Sequence, residues 1–305
     1  MHPLSITIIT YNRPDDLLVL LKNIVAQQEA TSLLESVVII NNASSVSYQK
    51  VQDYMAATPF IPWQYVWSDE NLGVARGRNK AIALAKAPIV ITLDDDAYFK
   101  ETDGLIKIKG LFESDYAKEN NIGAYCFKVF YASTGELQTS AFPHKKIDQY
   151  RDKDHFLTYY FIGCGHAILK KAYQDAGEYP SDFFYGMEEY DLGYRILNSG
   201  YRMAYDASVS IIHNESPLGR TPQAQKVQMM WVNKSKVAYR YLPIKYFVST
   251  AVMWSFQYLK KTSFNWKLFF GGWKKILSIP QEEQRHPIAQ KTLEYIESVE
   301  GRLWY

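Results

Sequence analysis

Over the first hundred residues, short apolar runs alternate with segments whose apolar positions recur every third or fourth residue. Leu4-Ser5-Ile6-Thr7-Ile8-Ile9-Thr10 reads as a first strand. Tyr11-Asn12-Arg13-Pro14 follows, with Pro14 suited to a first helical position and Asp15 and Asp16 to a first turn. Leu17, Leu20, Leu21, Ile24 and Val25 then share one helix face. A second strand is predicted at 36–40, before the polar turn Asn41-Asn42-Ala43-Ser44-Ser45, and a third at 63–67. Asn71-Leu72-Gly73-Val74-Ala75-Arg76-Gly77-Arg78-Asn79 opens an Ala-rich helix running to Lys86. The fourth run, Ala87 to Leu93, is rich in Ile and Val and ends on Asp94-Asp95-Asp96. Strand alternating with helix predicts an α/β fold with a mainly parallel, doubly wound sheet flanked by helices.

Further along, strands are predicted at 123–131, 161–169 and 207–215, the last ending near His213. Gly163 and Gly165 leave room in the second of these for something to approach the backbone. Between 133 and 155 the chain is polar, with few strong elements. Residues 221–278 read as helices punctuated by Pro222, Pro243 and Pro280, and 287–305 as an amphipathic helix with Leu293, Ile296 and Val299 on one face. The expected organisation is a catalytic domain at 1–215, with a nucleotide half at about 1–100 and an acceptor half at about 101–215. A helical appendage follows at 216–305.

Composition narrows the class. A 305-residue chain that is 47% hydrophobic buries a sizeable core. Cys126 and Cys164 form neither a disulfide framework nor a metal-ligand spacing, which points to a reducing compartment. The first strand starts almost at once, with no basic n-region or cleavage site, so a cytoplasmic setting is expected. No G-x-G-x-x-G follows the first strand and no Walker loop occurs, which argues against nicotinamide and P-loop enzymes. The net charge of +2 hides a division: residues 216–281 carry eleven lysines and arginines and no acid. The same stretch is rich in Trp, Tyr and Phe, and the aromatic content of the whole chain asks for a surface role. The apolar run at 244–259 is too short to span a membrane and contains Lys245 and Gln257. Amphipathic helices of this kind lie on anionic membrane surfaces, and the expected location is peripheral, on the inner face of the cell membrane. A helical subdomain packed on the catalytic domain is the other reading, and nothing resembles a nucleic-acid-binding fold.

Three carboxylates at the carboxyl end of a buried strand repel one another unless a cation or ordered donors sit among them; their spacing suits Mg²⁺ or Mn²⁺. His213, ending another strand, is a candidate further ligand. In Phe183-Phe184-Tyr185-Gly186-Met187-Glu188-Glu189-Tyr190-Asp191-Leu192-Gly193-Tyr194-Arg195 an aromatic, glycine-containing approach leads to a cluster of acids. Burial against aromatics raises a carboxyl pKa and makes a candidate general base.

Taken in order, the T-Y-N-R-P opening, the N-N-A-S turn, the N-L-G-x-A-R-G-R-N loop, the L-D-D-D strand end and the F-F-Y-G-M-E-E-Y-D-L-G-Y-R block resemble the family 2 glycosyltransferases, inverting enzymes of the GT-A fold, over about residues 4–215. The resemblance includes bacterial polysaccharide rhamnosyl- and galactosyltransferases. It implies that Thr10, Tyr11 and Arg13 line the nucleotide base and ribose, with Asp95 in the same site. Asn41 stands where the family usually has an Asp that accepts from the uracil ring. Arg78 would face the diphosphate, Asp94 the ribose or the metal, and Asp96 would be the main metal ligand, completed by His213. Glu189 would be the catalytic base, with Glu188 in reserve and Asp191 on acceptor hydroxyls. The implied reaction moves a hexose from a nucleoside diphosphate sugar, UDP or dTDP, to a hydroxyl of a glycan or lipid-linked sugar by single displacement, with Mn²⁺ or Mg²⁺ as cofactor. A sugar-1-phosphate nucleotidyltransferase and a non-catalytic sugar-nucleotide-binding scaffold at the membrane are the alternatives.

Overall fold

The computed structural model describes residues 2–215 and 222–304. Its strands are β1 (Leu4–Thr10), β2 (Leu34–Asn41), β3 (Trp63–Trp67), β4 (Ile89–Asp94), β5 (Ala97–Phe99), β6 (Ile122–Tyr131), β7 (His155–Thr158), β8 (Gly165–Leu169) and β9 (Arg202–His213). Helices in the first half are α1 (Pro14–Val25), α2 (Ala30–Leu33), α3 (Gln49–Ala57), α4 (Gly73–Leu84), α5 (Gly104–Glu113) and α6 (Asp115–Glu119). They are followed by α7 (Ile147–Tyr150), α8 (Lys170–Ala176), α9 (Glu188–Asn198), α10 (Gln223–Tyr241), α11 (Ile244–Lys261), α12 (Trp266–Glu282) and α13 (Gln290–Ser298).

One sheet runs β3-β2-β1-β4-β8-β6-β9-β5, with β7 paired to β9. Pairing is parallel across β3-β2-β1-β4, as the alternation predicts. Beyond β4 it mixes: β8 is antiparallel to both β4 and β6, and β6 is parallel to β9. From β1 the chain adds β2 on one side and β4 on the other, which opens a crevice at their carboxyl ends. There Ile9 lies level with Asp94. Leu17, Leu20, Leu21 and Ile24 of α1 are fully buried under this half, at about 1.5–3 kcal/mol for each fully buried side chain.

Two strands escape the hydrophobic pattern because they are short. β5 follows the three acids and pairs antiparallel with β9, setting Ala97 opposite His213. That pairing returns the histidine to the acids. β9 also starts earlier than its apolar core suggests, at Arg202. Pro280 lies inside the last turn of α12 instead of ending it; so near the carboxyl terminus its missing N–H costs little continuing helix. Helix α13 stops at Ser298, leaving Val299 just past its end.

The C-terminal helices pack on the catalytic part through α10. Val237, Ala238 and Tyr241 share a core with Leu192, Tyr194 and Tyr205. Trp231 is wholly buried, its ring centroid 5.6 Å from those of Tyr258 and Phe269 and 5.4 Å from that of Trp273. A Cβ on Gly272 would lie 2.6 Å from the Trp231 ring, so a larger residue there would displace it. Aromatic residues therefore serve the interior as well as the surface: the largest fully buried side chains are all Trp, Tyr or Phe. The acid-free stretch finds its partners outside itself. Lys236 pairs with Asp182 at 2.8 Å and Glu283 at 2.7 Å, and Arg240 pairs with Asp182, Asp191 and Glu283 at 2.6–3.0 Å. Arg220, another of the eleven cations, lies outside the described residues. On the outer side Val248, Phe256, Phe264, Trp266, Phe270 and Leu277 are exposed. Among the described residues no helix is long and apolar enough to cross a membrane.

Candidate active site

At the crevice, Thr10, Tyr11, Arg13, Asp94, Asp95, Asp96 and His213 line a cavity of about 280 Å³. Arg13 Nη1 holds Asp95 Oδ1 at 2.8 Å and Asp96 Oδ2 at 3.0 Å, which spaces two carboxylates that would otherwise repel. Thr10 is buried beneath them, its hydroxyl 2.7 Å from that of Tyr48. Burial, with Asp96 and Asp94 alongside, lifts Asp95 to about 7 against the pull of Arg13.

Asp94, Asp96 and His213 each offer one ligand atom, all within 4.8 Å of one another. Two carboxylates and an imidazole suit a hard or borderline divalent ion such as Mg²⁺ or Mn²⁺. The surrounding shell fits as well. His213 Nδ1 donates to Gln138 Oε1 at 2.9 Å, while Gln138 Nε2 donates to Glu215 at 2.8 Å, so the amide is fixed and Nε2 of the histidine faces the acids. Nε2 lies 3.3 Å from Asp96 Oδ1. Burial opposes charge on this ring, but the Asp96 hydrogen bond prevails and raises His213 to about 11.

A second cavity of about 600 Å³ shares Val74, Asp94, Tyr185 and His213 with the first, and Arg78, Glu188 and Glu189 line its wall. Two successive left-handed residues, Gly186 (φ 80°) and Met187 (φ 75°), turn the chain so that α9 opens with both glutamates in its first turn. A Cβ on Gly186 would sit 2.8 Å from Met230 Cγ of α10. Arg78 is buried and donates from Nη1 to Glu189 at 2.7 Å and Glu188 at 3.4 Å, and from Nη2 to Asp94 at 3.2 Å and the Gly163 carbonyl at 3.1 Å. The room left by Gly163 is thus taken by the protein itself, since a Cβ there would collide with Glu189 and Arg78. Burial and the neighbouring Glu189 push Glu188 well above the usual carboxylate range, to about 8, despite Arg78. Its Oε2 is buried with no hydrogen-bond partner among the described residues.

Three expected roles do not match these positions. Asn41 is fully buried and lines neither cavity. Its Oδ1 accepts from the Ser44 N–H at 2.9 Å and its Nδ2 donates to Tyr65 at 2.7 Å, so the amide is held within the turn. Asp191 also lines neither cavity. Its carboxylate is bound by Arg195 at 2.6 and 3.0 Å and by Arg240 and Tyr241 at 3.0 Å, so it ties α9 to α10 and has no free oxygen for an acceptor hydroxyl. Arg78 faces carboxylates, where a diphosphate was expected.

Sequence reasoning passed over Gln138 and Asn42. The first sits in a polar loop without pattern. The second is the very next residue after Asn41 and lines the smaller cavity. Its Nδ2 donates to the Gly73 carbonyl at 3.1 Å, and its Oδ1 is a buried acceptor without a partner among the described residues. Gly73 (φ 69°) also explains why two of the sequence blocks occur together: a Cβ there would lie 2.5 Å from the Phe184 carbonyl, which accepts from the Val74 N–H at 2.9 Å.

An α/β sheet whose acids and histidine gather at the switch point, between a small cavity and a larger one, defines the glycosyltransferases of GT-A type. The Glycosyl transferase family 2 profile matches residues 5–177, and the chain belongs to that family. Its fold is similar to that of S. aureus TarS 1-349 in complex with UDP, with TM-score 0.57 and 13% identity over 86% of this chain and 73% of that one. The mannosyltransferase PcManGT from Pyrobaculum calidifontis in complex with GDP-Man and Mn²⁺ gives TM-score 0.59 and 16% identity over 97% and 78% of the two chains. GalNAc-T7 with UDP, GalNAc and Mn²⁺ gives 0.65 and 13% over 91% and 57%. An uncharacterized protein of Haemophilus influenzae is 39% identical over 123 residues, which span 39% of this chain and 63% of that relative.

Proposed function

We propose that this chain transfers a hexose from a nucleoside diphosphate sugar, UDP- or dTDP-linked, to a hydroxyl of a glycan or lipid-linked sugar, inverting the anomeric centre. The observation that carries the reading is the seam between the two cavities. Asp94 and His213 face both of them, Asp96 faces the smaller, and the glutamate pair lies on the wall of the larger. The smaller cavity takes the nucleotide, with Tyr11 and Thr10 beside it and the free Asn42 carbonyl, in place of Asn41, as the acceptor available to a base N–H. Asp94, Asp96 and His213 would hold Mn²⁺ or Mg²⁺. When bound, such an ion supplies charge stabilisation to a departing diphosphate.

Glu189 is the base in this reading. It takes the proton of the acceptor hydroxyl; the hydroxyl oxygen bonds to the anomeric carbon as the bond from that carbon to the diphosphate oxygen breaks. Arg78 positions Glu189 and Asp94 in one hydrogen-bonded unit, and positioning of this kind is a large share of what a protein contributes to a displacement. Asp191 is a strut. The 2.7 Å contact of Arg78 with Glu189 favours a second reading, a scaffold that binds sugar nucleotide without turnover. Hydrolysis of UDP- and dTDP-sugars with Mn²⁺ present or chelated separates the two: slow, Mn²⁺-dependent release of hexose supports the transferase, and binding without any release supports the scaffold.

The outer face of α11 and α12 is proposed to lie on an anionic membrane surface. Its exposed Val248, Phe256, Phe270 and Leu277 are accompanied by Lys245, Lys267, Lys274 and Lys275. Flotation with anionic liposomes at low salt is the test; protein left in the soluble fraction overturns it.

A further inference from the structure

The larger cavity has a second chemistry that the glutamates do not use. Lys145, Lys234 of α10, Lys261 at the end of α11 and Arg302 all line it. Arg302 and Lys261 act on Lys145, and Lys145 and Arg302 act on Lys234. Lys234 is only 8% exposed, and no carboxylate among the described residues lies within ion-pair reach of it. Its ammonium sits 3.3 Å from the ring centroid of Tyr190, the residue after Glu189, and Lys145 lies 5.3 Å from that of Tyr160.

Stability does not account for this arrangement. Burying an ammonium costs more than an aromatic face returns, and the neighbouring cations add repulsion. Burial first, and then those cations, hold Lys234 well below the usual lysine range. A methionine would fill the same space without that cost. Gathered like charges beside aromatic walls mark a place where an anion is received. Three lysines at one end of the cavity exceed what one carboxylate needs and match a group of two or more negative charges.

We propose that this end of the cavity is a subsite for a phosphoryl group carried by the acceptor, so that the substrate is a phosphate- or diphosphate-bearing sugar and not a neutral glycan. The inference rests on the larger cavity being the acceptor side. Two sources share the chemistry, a soluble sugar phosphate and a diphosphate lipid carrier.

The test is a binding titration of the full chain with UDP and Mn²⁺ at saturation, so that the smaller cavity is filled before the probe is added. If UDP and Mn²⁺ do not bind, the transferase reading fails, whatever the probe does. The soluble probe is glucose 1-phosphate, with methyl glucoside as its neutral counterpart. The lipid probe is decyl diphosphate-linked glucose in phosphatidylcholine vesicles, with decyl glucoside as the control. At least one phosphorylated probe should bind more tightly than its neutral counterpart, and more weakly as salt is raised. K234M should lose roughly tenfold in its affinity. Lys145→Ala and Lys261→Ala, both at exposed side chains, should each lose a similar factor and keep the test sound if K234M does not fold. Preference for the vesicle-borne probe assigns the phosphoryl group to a lipid carrier, and preference for glucose 1-phosphate assigns it to a soluble acceptor; either supports the subsite. Equal binding of phosphorylated and neutral probes, or affinities unchanged in Lys145→Ala and Lys261→Ala, overturns it.

Discussion

The two ends of the paired cavities are built on opposite plans. The corner proposed for the donor gathers its acids and their partners at the ends of two adjacent strands, Thr10 to Arg13 at the end of β1 and Asp94 to Asp96 at the end of β4, with His213 from β9 beside them. The far end of the larger cavity is basic and aromatic, drawn from residues 145, 234, 261 and 302. The first kind of site is encoded in short spacings and fixed by the sheet. The second exists only once α10, α11 and the C-terminal segment have docked. A fold can therefore build one site from its sheet and complete a neighbouring cavity only from an appendage.

The sharpest way to break the comparison is at the donor corner. Asp96→Ala removes an oxygen from the ligand set and a partner from Arg13 and His213. Mn²⁺-dependent binding of UDP-sugar should disappear in a calorimetric titration, and turnover should fall by about 10⁴-fold. Next comes the seam. Glu189→Gln should leave the donor Kd near its original value while kcat falls about 10³-fold, since it deletes proton acceptance and little shape. Full turnover in that variant would move the base to Glu188.

Smaller effects sharpen the contrast. Gln138→Leu frees the His213 ring and should weaken Mn²⁺ binding by about 10–100-fold without unfolding the chain, as read by metal titration. Asp191→Asn should leave the donor corner intact but reduce the free energy of urea unfolding by about 3 kcal/mol, because it cuts a buried tie between α9 and α10. The last effect is on pH dependence and concerns Glu188. Its folded pKa, about 8, lies above the unfolded 4.5, so the native state holds the extra proton. Stability from this group is therefore present at low pH and declines as pH rises through that window. The thermal midpoint of the wild type should fall between about pH 5 and 8, and Glu188→Gln should flatten that slope.

The donor corner was legible for the same reason that it is local. Strand periodicity, Pro14 at a helix start and three acids after an apolar run need no knowledge of distant packing. The placement of Asn41 was not legible, because whether an amide caps its own turn or faces a cavity depends on Tyr65 and Ser44. It failed at Asp191 for want of α10: in sequence, three acids within four residues look alike, and only docking assigns one of them to Arg240. The basic cluster had no local signature, since each cation alone is an ordinary surface residue.

One guanidinium, that of Arg78, grips Asp94 with one nitrogen and Glu189 with the other. Arg78 thus ties an acid shared by both cavities to a glutamate on the wall of the larger one, a connection a single side chain long.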